Sequence, residues 1–167
     1  MERRLVLIRH AKSSWGNPLE PDFERELNER GKRDAPAMGK KLRKLKVMPG
    51  LIISSSAKRT RQTAKKIAAE LGYEPDKIKW EEKLYHCVPS VFEDLITELN
   101  DEVTTVFFVA HNPGITEFVN DLSPDFRIDN MPTCGVVGVA MDMKEWSDFS
   151  ATKRNVFLYE YPEKNDN

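Results

Sequence analysis

Three short stretches of the chain hold residue types suited to moving a phosphoryl group. Arg9-His10-Ala11-Lys12 follows the apolar run Leu5–Ile8, Arg59 follows Ser54-Ser55-Ser56-Ala57-Lys58, and His111-Asn112-Pro113-Gly114 follows Val103–Ala110. Arginine presents a planar fork of donors matching phosphate oxygens, which lysine does not reproduce. Two arginines around one site would hold a phosphoryl group and offset the charge spread over its equatorial oxygens in the transition state. The same positive charge disfavours imidazolium, so a histidine beside them is expected to stay neutral. Neutral imidazole keeps a lone pair that can attack phosphorus, splitting the transfer into two steps through a phosphohistidine intermediate. A second histidine can hydrogen-bond the travelling oxygens. Taken singly, a histidine after a strand is more often structural, and an arginine at a helix start is more often solvated or paired. The joint occurrence matters, because one chemistry uses all four and the chain has only three histidines.

For these residues to meet, the elements carrying them must converge. Arg4–Arg9 and Leu51–Ser54 read as buried strands, and Val103–Ala110, rich in β-branched and aromatic residues, is the clearest strand. Val136–Met141 and Val156–Tyr161 read as two more. Helical spacing places Met38, Leu42 and Leu45 on one stripe of Asp34–Leu45, and Ala64, Ile67, Ala68 and Leu71 on one stripe of Thr60–Leu71. Ser90 and Glu93 resemble a capping box opening a helix to about Leu99. Pro113 and Gly114 begin a segment with Ile115, Phe118, Val119 and Leu122 on one side. Strands alternating with helices imply an α/β fold, a three-layer α/β/α sandwich around a mainly parallel sheet. Ligands of such sheets sit at the carboxyl ends of the strands, where Arg9, His10 and His111 fall. Gly16–Glu26, with Pro18 and Pro21, reads as a loop.

The 167 residues, 40% of them hydrophobic, fit one globular domain spanning 1–167 and argue against disorder. Cys87 and Cys134 are too few for a disulfide framework, so a reducing compartment is the natural reading. Leu5–Ile8 is interrupted by Arg9 and is too short for a signal peptide or membrane span. The expectation is a soluble, cytoplasmic protein with no membrane or nucleic-acid partner. The formal net charge of −1 conceals an uneven distribution. Residues 30–66 carry thirteen Lys or Arg against one acid, and residues 67–130 carry fourteen acids against four bases. Solvated helix faces explain such a pattern, as does a field that gathers an anionic substrate; composition does not choose between them. No HExxH or clustered Cys/His spacing supports a metal hydrolase built on the three histidines, so no metal and no cofactor is expected.

The run LVLIRHAKSS resembles the signature of the histidine phosphatase superfamily, the phosphoglycerate mutase-like proteins, whose usual form is Arg-His-Gly. SSSAKRTRQTA resembles the family's second arginine motif and VFFVAHNPG its second histidine motif, in the family's order. Ala11 replaces the usual glycine, and no long insertion separates the later motifs. RHAKSSW, LNERGKRDA and MPTCGVV are similar to the SixA-type phosphohistidine phosphatases. The resemblance implies a phosphoglycerate mutase-like fold, with His10 as nucleophile and Arg9, Arg59 and His111 completing the phosphate pocket. Many family members place a general-acid glutamate after a Leu-x pair. The corresponding stretch here is Lys83-Leu84-Tyr85-His86-Cys87, so His86 stands in that place, as an acid or as a pocket-lining residue. Glu81 and Glu82 are expected at the end of the preceding strand. A weak N–P bond with imidazole as leaving group asks less of an enzyme acid than an alkoxide does.

The resemblance therefore implies a metal-independent phosphatase of phosphohistidine, on a protein such as a histidine-containing phosphotransfer domain. A second reading within the same chemistry is a phosphatase of small phosphate esters. A third, from another class, is a non-catalytic module that binds phosphorylated proteins, which would have no need of a nucleophile. A mutase fits a short chain with few pocket-covering insertions less well. Ser13, Ser14, Ser56 and Lys12 lie near the motifs as further phosphate donors or as turn caps. The adjacent His86-Cys87 pair is poor evidence for a thiol nucleophile, since catalytic partners are normally distant in sequence.

Overall fold

The structure, a computed structural model, describes residues 1–162, and the last five residues of the expected 1–167 domain lie outside it. The elements run β1 (Glu2–Arg9), α1 (Glu29–Lys44), β2 (Leu51–Ser54), α2 (Lys58–Glu70), β3 (Lys79–Trp80), α3 (Pro89–Thr97), β4 (Thr105–Ala110), α4 (Gly114–Leu122), β5 (Val136–Asp142) and β6 (Asn155–Glu160). They build one six-stranded sheet in the order β3-β2-β4-β1-β5-β6. β3, β2, β4 and β1 pair in parallel, while β5 and β6 add antiparallel at one side. The expected mainly parallel α/β sandwich is therefore the observed one.

The period-2 geometry of a strand divides the core into two layers. Leu5 and Leu7 of β1, with Val106 and Phe108 of β4, pack beneath α3, α4 and the Trp146–Ala151 turn. Val6, Ile8, Phe107 and Val109 face the other way, against Met38 and Leu42 of α1 and Ala64, Ile67 and Ala68 of α2. A sheet covered on both faces explains why β1 and β4 read as continuous apolar runs.

Three local expectations change. α1 starts five residues before Asp34, because the Asn28 side chain accepts a hydrogen bond from the Gly31 amide (2.9 Å) and caps the helix. The Ser90–Glu93 capping box does not form. Pro89, whose fixed φ suits the first helical position, starts α3 two residues earlier than a Ser90 cap would, Val88 caps it without a side-chain bond, and Glu93 accepts instead from Ser150. β3 ends at Trp80, so Glu81 and Glu82 form the turn beyond it: Glu81 accepts from the Lys83 amide, and Glu82 opens a 3₁₀ turn.

Candidate active site

The parallel strands deliver their carboxyl ends to one edge of the sheet, and the candidate residues meet there. The His10 amide donates to the Ala110 carbonyl (3.1 Å), which holds the end of β1 beside the end of β4 and brings the His10 and His111 rings to 5.4 Å between centroids. Arg59 arrives on the first turn of α2, after the Ser54–Ala57 connection from β2. Thr63, one turn on, locks that helix to the segment after β1: its Oγ1 donates to the Arg59 carbonyl (2.8 Å) and accepts from the Ala11 amide (3.0 Å). Arg9 Nη1 donates to the Met131 carbonyl (2.8 Å), which also accepts from Asn112 Nδ2 (3.1 Å). A cavity of about 250 Å³ opens over this junction. Arg9, His10, Lys12, Ser13, Arg59 and His111 form its inner wall, with Trp15, Asp22, Arg25 and His86 around it.

His10 is almost fully buried, and its Nδ1 lies 2.7 Å from the Ala11 carbonyl. A carbonyl only accepts, so Nδ1 carries the proton and Nε2 keeps the lone pair. Burial, followed by the charges of Arg59, Arg9 and Arg25, pushes the His10 pKa down to about 3, against a partial offset from the Ala11 bond. The neutrality expected from the arginines thus has burial as its larger cause. His111 is pushed down to about 2, again by burial first, then by His10, Arg59 and His86, against an opposing contribution from Asp22. Its Nε2 contacts Ser55 Oγ at 2.8 Å. The hydroxyl can donate to Nε2, which puts the ring proton on Nδ1, a buried atom with no partner of its own. Arg9 Nε and Arg59 Nε are also buried and unpartnered. Arg3 Nε beside Trp146, Ser56 Oγ and Arg61 Nε, none of them on a cavity-lining residue, share that condition, so an orphaned polar atom alone marks nothing. The three on cavity-lining residues are donors open to the acceptor oxygens of a ligand.

The loop between β1 and α1 contributes residues that sequence reasoning missed. Asp22 enters the cavity on a 3₁₀ turn (Asp22–Glu24) within the stretch read as a loop. Its backbone carbonyl accepts from Arg59 Nη1 (2.7 Å) and its Oδ2 from Arg59 Nη2 (3.0 Å) and the Tyr85 hydroxyl (2.5 Å). Arg25 donates to Oδ1 from Nη2 (3.1 Å), and its Nη1 also donates to Ser13. Desolvation pulls the Asp22 carboxyl upward, but the Tyr85 hydrogen bond, the Arg59 charge and hydrogen bonds from Arg25 and Arg59 outweigh it and hold the group well below the usual carboxylate range. The only sequence signal for Asp22 was a Pro-Asp turn, which is common. Ser55 lies in the Ser54-Ser55-Ser56 run of the second arginine motif, where nothing local sets it apart from Ser56.

The remaining candidates sort by position. His86 stands at the mouth with its side chain 59% exposed and its backbone in the left-handed region (φ 53°), and its Nε2 lies 3.5 Å from Asp22 Oδ2. A non-glycine residue held there is strained, a condition that clusters at functional sites. Ser13 and Lys12 line the cavity, whereas the Ser14 hydroxyl accepts from the Gly16 amide and shapes the loop. Burial pushes the half-buried Cys87 thiol up to about 11, far from a thiolate nucleophile. Among the described residues no group of three or more His, Cys, Asp or Glu is arranged to hold a metal ion.

This arrangement offers an unprotonated imidazole nitrogen beside two arginine forks, the set an oxyanion would engage. The family model of the histidine phosphatase superfamily (branch 1) matches residues 5–112. An uncharacterized chloroplastic protein of Arabidopsis thaliana is 31% identical over 137 residues, which cover 74% of this chain and 60% of that relative's length. A structure described as a putative phosphohistidine phosphatase SixA from Agrobacterium tumefaciens superposes with a TM-score of 0.81 at 26% identity, covering 96% of this chain and 99% of that one. A mycobacterial glucosyl-3-phosphoglycerate phosphatase shares the fold at a TM-score of 0.66 and 18% identity, over 95% of this chain and 99% of the other. The motifs, the sheet order and these likenesses agree: the chain belongs to the histidine phosphatase superfamily (branch 1), with a fold of the SixA type.

Proposed function

We propose that the protein is a metal-independent phosphatase that takes the phosphoryl group from protein phosphohistidine onto His10 and then to water. The observation that carries this reading is the His10 ring, whose Nδ1–H is tied to the Ala11 carbonyl so that Nε2 remains a lone pair among positive charges. In the first step Nε2 attacks phosphorus, the bond to the leaving group breaks, and its electron pair departs with the leaving group. In the second step water attacks phosphorus, the electron pair of the P–N bond returns to Nε2, and the water's proton leaves with phosphate or solvent. Arg9 and Arg59 clamp the equatorial oxygens, and His111 donates to them from Nδ1. Three arginines along the cavity make it a poor home for a cation, so the chemistry is assigned to the protein alone. His86, at the mouth, lines the path of the leaving group.

Trp15, 75% exposed and stacked under the Arg25 guanidinium (3.8 Å), gives the cavity an open aromatic and cationic rim. That rim suits a phosphorylated side chain presented by another protein, such as a histidine-containing phosphotransfer domain. A small phosphate ester is the second reading, favoured by His86 at the mouth. The non-catalytic binding reading has no use for a prepared lone pair.

The test offers the purified protein a phosphohistidine-bearing protein and a panel of phosphate esters, with His10→Ala alongside. The expected outcome is preferential release of phosphate from phosphohistidine, a labelled His10 after rapid quench, and no turnover by the variant. Preference for the esters would replace the first reading by the second, and turnover by His10→Ala would remove the nucleophile.

A further inference from the structure

The protein has no glutamate where its relatives' motif places a general acid, and the carboxylate it does bring to the cavity, Asp22, is held ionised. We propose that Asp22 is the specificity-determining residue for the leaving group: its carboxylate stabilises the protonated ring of a phosphohistidine, which then departs as neutral imidazole, and disfavours groups that leave as anions. The inference rests on the phosphoryl-transfer reading above.

Its basis is the depth order of the site. His10, His111 and Arg59 are nearly fully buried, whereas the Asp22 side chain is 39% exposed and that of His86 59%. In-line displacement sets the leaving group opposite the attacking nitrogen. With His10 at the floor, the leaving group lies toward the mouth, where Asp22 is. Asp22 Oδ2 already has an imidazole against it, since His86 Nε2 lies 3.5 Å away. The residue is positioned from several elements: Arg25 from its own loop, Arg59 from α2, and Tyr85 from the turn before α3. Among the described residues it is the only carboxylate that lines the cavity.

The chemistry balances without a protein acid. The ring nitrogen of phosphohistidine that is not bonded to phosphorus takes a proton from solvent, and the carboxylate favours that charged form. When His10 Nε2 attacks, the P–N bond breaks and its electron pair stays on the departing nitrogen, leaving neutral imidazole that still carries its proton. An alcohol phosphate gains nothing from an ionised carboxylate, because its alkoxide needs a proton that Asp22 does not hold. Its growing negative charge is repelled instead.

The experiment compares kcat/KM for phosphohistidine and for p-nitrophenyl phosphate, whose leaving anion needs no proton, in the wild-type protein, Asp22→Asn and Asp22→Glu. Asp22→Asn preserves shape and removes charge. Phosphohistidine turnover is expected to fall about tenfold or more, the ratio expected from losing one nearby opposite charge, while turnover of the aryl phosphate rises. The high-pH limb of the phosphohistidine profile is expected to move to lower pH, with Arg25, Arg59, Tyr85 and His86 unchanged around the site. Asp22→Glu, which keeps the charge, is expected to retain the preference even where Asp22→Asn proves unstable. Equal loss on both substrates, an equal fall in KM for both (a carboxylate that merely competes with phosphate for Arg59), or no change overturns the inference while leaving the phosphatase reading intact. A wild-type protein inactive on phosphohistidine overturns both.

Discussion

Arg59 shows how much one side chain does in this site. Its two terminal nitrogens donate to the carbonyl and carboxylate of Asp22, and its buried Nε remains for a further acceptor. A lysine offers one point charge in place of this planar fork. Arg59→Lys is therefore expected to keep the fold and lose about 10²–10³ in kcat/KM, comparable to removing one preorganised donor from an oxyanion site. Steady-state turnover with a far-ultraviolet spectrum of each variant checks it; a loss below threefold would place Arg59 outside the phosphate clamp. Arg9, His10, Arg59 and His111 were legible in the sequence because each sits in a short motif and one chemistry uses all four. Asp22 was not, since it belongs to no local pattern; Ser55 and Tyr85 fall inside quoted stretches, but each acts through a contact with a residue distant in sequence.

At the scale of elements, the approach of α1 to the loop after β1 decides whether His10 is held in place. A Cβ built on Gly31 would stand 2.1 Å from the Lys12 carbonyl oxygen, two residues past His10, while the Asn28 amide donates to that same oxygen (3.0 Å). The obstacle is backbone, which yields less readily than a side-chain tip. Gly31→Ala is expected to cost about 1–3 kcal/mol by overpacking and to lower activity by shifting the His10 segment. Thermal unfolding and turnover measured together check this, and a fully stable, fully active variant would show that the contact relaxes freely. Strands β1, β2, β4, β5 and β6 were readable within two residues at each end: the parallel β1, β2 and β4 are buried apolar runs, and the antiparallel β5 and β6 are short stretches rich in β-branched or aromatic residues. β3 escaped notice: it is two residues long, both exposed, and exists only because β2 is there to pair with it.

For the molecule as a whole, burial of neutral histidines makes stability depend on pH. His10 and His111 ordinarily titrate near 6.5 but do so near 3 and near 2 in the folded chain. Below pH 6.5 the unfolded chain binds protons that the folded chain refuses, so stability rises with pH and is lost on acidification between about pH 6.5 and 3. Each histidine contributes up to about 1.4 kcal/mol per pH unit in that window. Asp22, also depressed, adds a loss in the same direction once pH falls below its ordinary value of 3.8. The unfolding midpoint is expected to fall from pH 7 to pH 4, with a shallower slope in His111→Asn; a flat profile would mean that these rings are not buried in neutral form. The uneven charge also resolves at this scale. Of the thirteen basic residues in 30–66, Arg59 alone lines the cavity, and most of the others lie exposed on the outer faces of α1 and α2.

The α/β alternation, the apolar strands and four candidate residues for phosphoryl chemistry are legible along the chain, because apolar periodicity and short motifs are local properties. Only the tertiary structure decided how that chemistry is set up. Burial keeps His10 neutral and the Ala11 carbonyl holds its proton on Nδ1, leaving Nε2 bare; the connection after β2 hands Ser55 to His111, and an unremarkable loop lays Asp22 across Arg59. Desolvation and charge coupling depend on distance in space, which sequence separation does not record: Asp22 and Arg59 are 37 positions apart in the chain and 3.0 Å apart, oxygen to nitrogen.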